Sequence, residues 1–216
     1  MTKKTLNQVW QQVPPDYYDR GMANNMLQRI WHTRKFQVFR QLTGKRDYKK
    51  ILDVGCAGGT MTAKIANFFP QSLVYGVDVY DQAIAYAKRK YPQMSFTVCD
   101  AHRLPFAANS FDLIVCYETI EHVVDPLVVL REILRVLKKD GICVVAMDSG
   151  NWLFRLVWWF WEKTTGRVWQ GAHLHPFHYN ELEERIRQAG FHITERRFSH
   201  VGMEVSFLLS KEVRRE

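Results

Sequence analysis

Ile51-Leu-Asp-Val-Gly-Cys-Ala-Gly-Gly-Thr60 is the stretch on which the fold turns. Its apolar start, after Tyr48-Lys-Lys50, reads as a short buried parallel strand that the glycines interrupt. Apolar residues resume at helical spacing in Met61-Thr-Ala-Lys-Ile-Ala-Asn-Phe-Phe69. Strand, glycine turn and helix together place a nucleotide-like ligand on a helix N-terminus, because backbone free of side chains allows close approach. The dinucleotide pattern Gly-x-Gly-x-x-Gly is not met, since its second and third positions, counted from Gly55, are Ala57 and Thr60. What stands there is Asp53-x-Gly55-x-Ala57-x-Gly59, an acid followed by small residues at every second place.

That pattern resembles motif I of the class I S-adenosylmethionine-dependent methyltransferases, and the resemblance runs on to Met147. Val74-Tyr-Gly-Val-Asp78 and Ser95-Phe-Thr-Val-Cys-Asp100 each end an apolar strand on a carboxylate. Ser110-Phe-Asp-Leu-Ile-Val-Cys-Tyr-Glu118 resembles the fourth strand, and Ile120-Glu-His-Val-Val-Asp-Pro126 the turn into the next helix. The resemblance implies S-adenosyl-L-methionine as cofactor and S-adenosyl-L-homocysteine as product. It implies a binding turn from Asp53, Gly55, Cys56, Ala57, Gly58 and Gly59. Asp78 would accept from the ribose hydroxyls, Asp100 and the Ala101 amide would meet the adenine, and Val79 and Tyr117 would be further cofactor contacts. Ala57 departs from the family's commoner glycine, and its methyl group crowds the turn.

Strands alternate with helices to the end of the chain, which argues an α/β parallel sheet, and the resemblance implies that this is a Rossmann-like class I methyltransferase fold. Its seven-stranded sheet is mostly parallel, with helices on both faces. Helix Asp81–Lys90 takes Asp81 as its N-cap, helix Pro126–Leu137 stops at Lys138-Lys-Asp-Gly141, and strand five is Ile142–Met147. Residues 1–48 are expected to cap the active site, as an irregular arm to residue 20 and one or two helices from Met22 to about Leu42. In the arm, Tyr17 and Tyr18 either fold over the ligands or only pack. Residues 49–216 form the catalytic domain, with an aromatic insert at about 151–178.

At 216 residues the chain suits one full α/β domain. Met1–Val13 is polar and basic, unlike a signal peptide, and Cys56, Cys99, Cys116 and Cys143 share no metal-type spacing. Both point to a cytoplasmic protein. The net charge of +8 lies wholly in residues 1–50, which hold 11 Lys or Arg against 3 acids. Such a segment attracts nucleic acid or an anionic membrane surface, or is simply a solvated face.

Five of the seven tryptophans fall within Trp152–Trp169. Asn151-Trp-Leu-Phe-Arg-Leu-Val-Trp-Trp-Phe-Trp161 is too short and too charged to span a bilayer, which takes ~20 apolar residues. It reads as a core or dimer helix, a lid over an apolar substrate, or a helix lying at an anionic membrane surface on its inner face. The order of this insert, Gly171-Ala-His173, Phe177, Glu181-Leu182 and Ala189-Gly190-Phe191 is similar to the ubiquinone and menaquinone biosynthesis methyltransferases.

Transfer from an activated sulfonium needs a positioned acceptor and a dry site. A hydroxyl acceptor also needs a base, for which His122 is the candidate, against a silent role at the helix entry; Glu121 and His173 complete the candidate catalytic residues. Glu118, Glu121 and His122 also resemble a segment associated with a divalent metal in quinone O-methyltransferases. His173, His175 and His178 could suggest a metal triad, but one of them is expected to face the substrate with the others at the surface around Pro176, and a metal-free reaction is preferred over both sets. The leading expectation is transfer to oxygen or carbon of a small, apolar or lipid-linked acceptor. The alternatives are an RNA methyltransferase using the basic segment and a cofactor-binding protein without turnover. The Cys116-Tyr-Glu-Thr119 strand end lacks the Asn/Asp-Pro-Pro-aromatic of base-amine enzymes.

Overall fold

The computed structural model describes residues 13–163 and 178–211. Their helices are α1 (Tyr17–Asn24), α2 (Met26–Thr43), α3 (Thr60–Phe68), α4 (Asp81–Lys90), α5 (Pro126–Val136), α6 (Trp152–Lys163) and α7 (Tyr179–Gln188). The strands are β1 (Lys50–Val54), β2 (Leu73–Asp78), β3 (Ser95–Val98), β4 (Phe111–Tyr117), β5 (Leu137–Asp148), β6 (His192–Ser199) and β7 (Glu204–Ser210). They form one sheet in the order β3-β2-β1-β4-β5-β7-β6. β1 to β5 pair in parallel, and β7 is antiparallel to both its neighbours. The expected Rossmann-like, mostly parallel seven-stranded sheet is therefore present.

Alternation along β4 divides the core in two, because successive side chains of a strand leave opposite faces. Leu113, Val115 and Tyr117 pack with Val38, Phe39 and Leu42 of α2 and Ile65 of α3. Ile114 and Cys116 pack with Leu130 and Ile133 of α5 and with Leu182 and Ile186 of α7. Helices thus cover both faces. The chain leaves β1 toward β2 on one side and has β4 on the other, so a crevice opens above the carboxyl ends of β1 and β4.

Three local expectations are corrected. The arm is not irregular throughout, since α1 begins at Tyr17. This helix buries no side chain and is held by polar anchors instead. Asp19 accepts from the hydroxyls of Thr60 (3.1 Å) and Tyr86 (2.7 Å) and pairs with Lys90 (2.6 Å). Asp81 lies inside the first turn of α4, and Tyr80 takes the cap position. Lys138–Gly141 belongs to β5, whose register with β4 slips between Phe111 and Leu113. Asp112 fastens that slip by pairing with Lys138 (2.7 Å) while accepting from the Lys49 and Lys50 amides.

Candidate active site

Above the crevice lies a cavity of about 240 Å³ whose floor is the turn after β1. Gly55 has φ +79°, and a Cβ there would stand 2.0 Å from the Thr119 hydroxyl. Ala57 holds a left-handed φ of +45°, a conformation that its methyl group makes costly. The turn persists because the Ala57 amide donates to Asp78 Oδ2 at 2.8 Å. Asp78 Oδ1 accepts from the Tyr80 amide at 2.9 Å. Burial pushes the Asp78 carboxyl upward, and these backbone N–H groups pull it back. Val79, Asp100 and Ala101 complete the wall with His102. His102 Nε2 accepts from the Asp125 amide at 3.0 Å, so the ring proton sits on Nδ1 and is donated to Asp100. That contact ties the β3 loop to the start of α5. Val13, Pro14, Pro15, Tyr17 and Tyr18 close the cavity from above, and the Tyr80 hydroxyl donates to the Val13 carbonyl at 3.1 Å.

Asp53, Cys56 and Tyr117 line a smaller adjoining cavity of about 70 Å³, with Lys64 opposite. Asp53 accepts from the Thr62 hydroxyl at 2.6 Å, and burial pushes its carboxyl to about 7. Gly58 and Gly59 line none of these cavities. Gly59 caps α3 at φ +80°, where a Cβ would lie 2.9 Å from the Phe96 ring. The residues present suit an adenosyl ligand: an acid at the end of β2, an acid and a free-standing amide after β3, and a turn without bulk.

A third cavity, of about 370 Å³, lies between α2 and α6. Tyr17, Tyr18, Glu118 and His122 line both it and the first. Glu118, at φ +48°, pairs with the buried ammonium of Lys35, whose Nζ also stands 3.7 Å from Glu204. Burial opposes ionisation of Glu118, but Lys35 overrides it and holds the carboxyl at about 2. The other acids here go the opposite way. Burial pushes Glu121 to about 8 and Glu204 to about 7, and raises Asp148. Burial and then Lys35 bring His32 down to about 4.

The structure brings His122 and Glu121 to the cavity walls. His173 lies outside the described residues, as do Gly171, His175, Phe177 and Trp169. His178 caps α7, its Nδ1 accepting from the Asn180 amide at 3.5 Å. Among the described residues no group of three or more His, Cys, Asp or Glu side chains is arranged to hold a metal ion. The core-helix reading of the aromatic segment is corrected, since Trp152 is 76% and Trp159 50% exposed. Phe154, Val157, Trp158 and Trp161 instead line the third cavity. Sequence reasoning missed Lys35, Asp148 and Glu204, and it missed Trp31, His32 and His200 as neighbours of the acids. A signal existed for Lys35, which shares a helical face with Trp31, Val38, Phe39 and Leu42.

Residues 52–145 match the methyltransferase domain family. An uncharacterized methyltransferase of Schizosaccharomyces pombe is 28% identical over 145 residues, covering 61% of this chain and 52% of that protein. The demethylmenaquinone methyltransferase of Beutenbergia cavernae is 29% identical over 164 residues, covering 74% and 66%. A Pyrococcus horikoshii crystal structure superposes with a TM-score of 0.72 at 19% identity, over 94% of this chain and 98% of that one. The chain spans about half to two thirds of the length of these two sequence relatives.

Residues 52–145 therefore carry a methyltransferase domain, in a chain with the motif order and fold of the class I S-adenosylmethionine-dependent methyltransferases, whose cofactor is S-adenosyl-L-methionine. Within the class its motif pattern is similar to that of the ubiquinone and menaquinone biosynthesis methyltransferases.

Proposed function

We propose that this chain transfers a methyl group from S-adenosyl-L-methionine to oxygen or carbon of a small, apolar or lipid-linked acceptor. One observation carries the reading: the aromatic cavity shares Tyr17, Tyr18, Glu118 and His122 with the cofactor cavity. A ligand in one is then separated from a ligand in the other by side chains alone. The cofactor supplies a methyl group already activated on sulfonium. What the protein must add is orientation and the exclusion of water, to which α1 and α6 contribute as covers. For an oxygen acceptor, Glu121 and His122 are the proton acceptors at hand, and a carboxyl near 8 is well matched to that task.

The mouth of the aromatic cavity supports a lipid-linked acceptor. Leu27, Ile30 and Val157 are exposed there, and Trp152, Leu156, Trp159 and Phe160 extend the apolar surface along α6. Arg29, Arg34, Arg155 and Lys163 are exposed nearby, as a helix lying on an anionic surface requires. No helix of the described residues is long and apolar enough to cross a membrane, so the proposed contact is peripheral. We expect Trp152→Ala with Trp159→Ala to weaken binding to phosphatidylglycerol vesicles about tenfold, or ~1.4 kcal/mol, with S-adenosyl-L-homocysteine affinity unchanged. Trp158→Ala, on the cavity side, should instead lower methyl transfer while vesicle binding holds. Vesicle binding indifferent to the outward pair would remove the membrane from this reading.

A further inference from the structure

The aromatic cavity has features that a purely apolar acceptor leaves unused. Its described lining includes the rings of Tyr17, Tyr18, Trp31, Phe154, Trp158 and Trp161, and beside them Glu118, Glu121 and Asp148. No lysine or arginine is among that lining. Burial lowers the basicity of both His32 and His200, which leaves those rings uncharged at neutral pH. Lys35 answers Glu118 from outside this cavity, among the residues of the smallest one.

Glu121 is unanswered. It is 4% exposed, and among the described residues neither of its carboxyl oxygens has a side-chain partner, only its own backbone N–H standing near enough to ease the charge. It lines this cavity and neither of the two that suit the cofactor. A buried carboxyl without a partner costs stability that a bound donor returns. Aromatic rings line the same cavity, and a ring face turned toward a ligand favours a cation over a neutral donor, because it carries the negative end of a quadrupole.

We propose that the acceptor carries a protonated amine, bound as ammonium by Glu121 and Asp148 within the aromatic cavity, while its methylated atom lies beside Glu118 and His122. The inference rests on the reading of this cavity as the acceptor site. A soluble arylalkylamine and an amine-bearing lipid headgroup present the same chemistry to it.

The test is calorimetric titration of the full chain, saturated with S-adenosyl-L-homocysteine, with 2-phenylethylamine and with its neutral counterpart 2-phenylethanol at pH 7. The amine should bind at least about tenfold more tightly than the alcohol. Glu121→Gln should weaken the amine about tenfold and so remove most of its advantage over the alcohol, and Asp148→Asn should act in the same direction. Equal affinities for the two ligands would overturn the proposal. So would a Glu121→Gln chain that keeps the preference, or amine binding seen only without S-adenosyl-L-homocysteine. Should Glu121→Gln fail to fold, Asp148→Asn decides by the same criterion. Vesicles with amine headgroups, run against trimethylammonium headgroups, separate the lipid source from the soluble one. Selective amine binding with no methyl transfer to any acceptor would keep this site and overturn the proposed activity. Methyl transfer to neutral acceptors with no amine preference would do the reverse.

Discussion

Lys35→Met should lower the unfolding free energy by about 3 kcal/mol, the lower end of the cost of breaking a buried ion pair. Lys35 is 3% exposed and serves two acids, Glu118 directly and Glu204 at 3.7 Å. The lower end applies because the Glu118 side chain keeps 23% exposure, so water screens part of the charge left behind. The deficit should also depend on pH. With Lys35 in place, Glu118 is held at about 2, and its contribution is present above the ordinary carboxylate range and lost only as pH falls through that value. Without Lys35 its carboxyl rises, and protonation relieves the buried charge. The variant should therefore be less impaired at pH 5 than at pH 8. Glu204 and Glu121, raised by burial to about 7 and 8, contribute below the ordinary carboxylate range, and that contribution is lost as pH rises through those values. Urea unfolding at the two pH values reads both effects. A loss under about 1 kcal/mol, or one independent of pH, would mean that the pair is not the anchor of this acid cluster.

Asp78→Ala should weaken S-adenosyl-L-homocysteine binding roughly 100-fold, or ~2.7 kcal/mol, as read by calorimetry. Two losses add at this position. If Asp78 holds the ribose as the resemblance implies, the hydroxyls lose their acceptor at the end of β2, and the Ala57 amide loses the 2.8 Å bond that holds its left-handed turn. Asp78→Asn keeps one acceptor oxygen and should fall between. A change of less than threefold in the alanine variant would show that the ribose is held elsewhere.

The candidate cofactor cavity is legible in sequence in so far as Gly55, Ala57, Asp78 and Asp100, which line it, each end or follow a predicted strand. A short period read from the chain places them. The strands themselves followed from apolar runs such as Leu113–Cys116, which the sheet buries on both faces. The proposed acceptor side is built differently. Lys35, Glu118, Asp148 and Glu204 come from α2 and from the neighbourhood of three separate strand ends, and only the register of β4, β5 and β7 brings them together. No spacing within the chain records that meeting. α1 escaped notice for a related reason, since Asp19 holds it through Thr60, Tyr86 and Lys90 rather than through an apolar stripe. The basic excess of the first fifty residues was read as facing outward, and Lys35 shows that part of it is internal counter-charge.

The most direct test of the central claim uses the full chain, methyl-labelled S-adenosyl-L-methionine and a cell extract separated afterwards into lipid, RNA, protein and small-molecule fractions. Label should enter the apolar, solvent-extractable fraction, and Trp158→Ala should diminish it. Label confined to RNA, or none anywhere from a chain that binds S-adenosyl-L-homocysteine, would contradict the account.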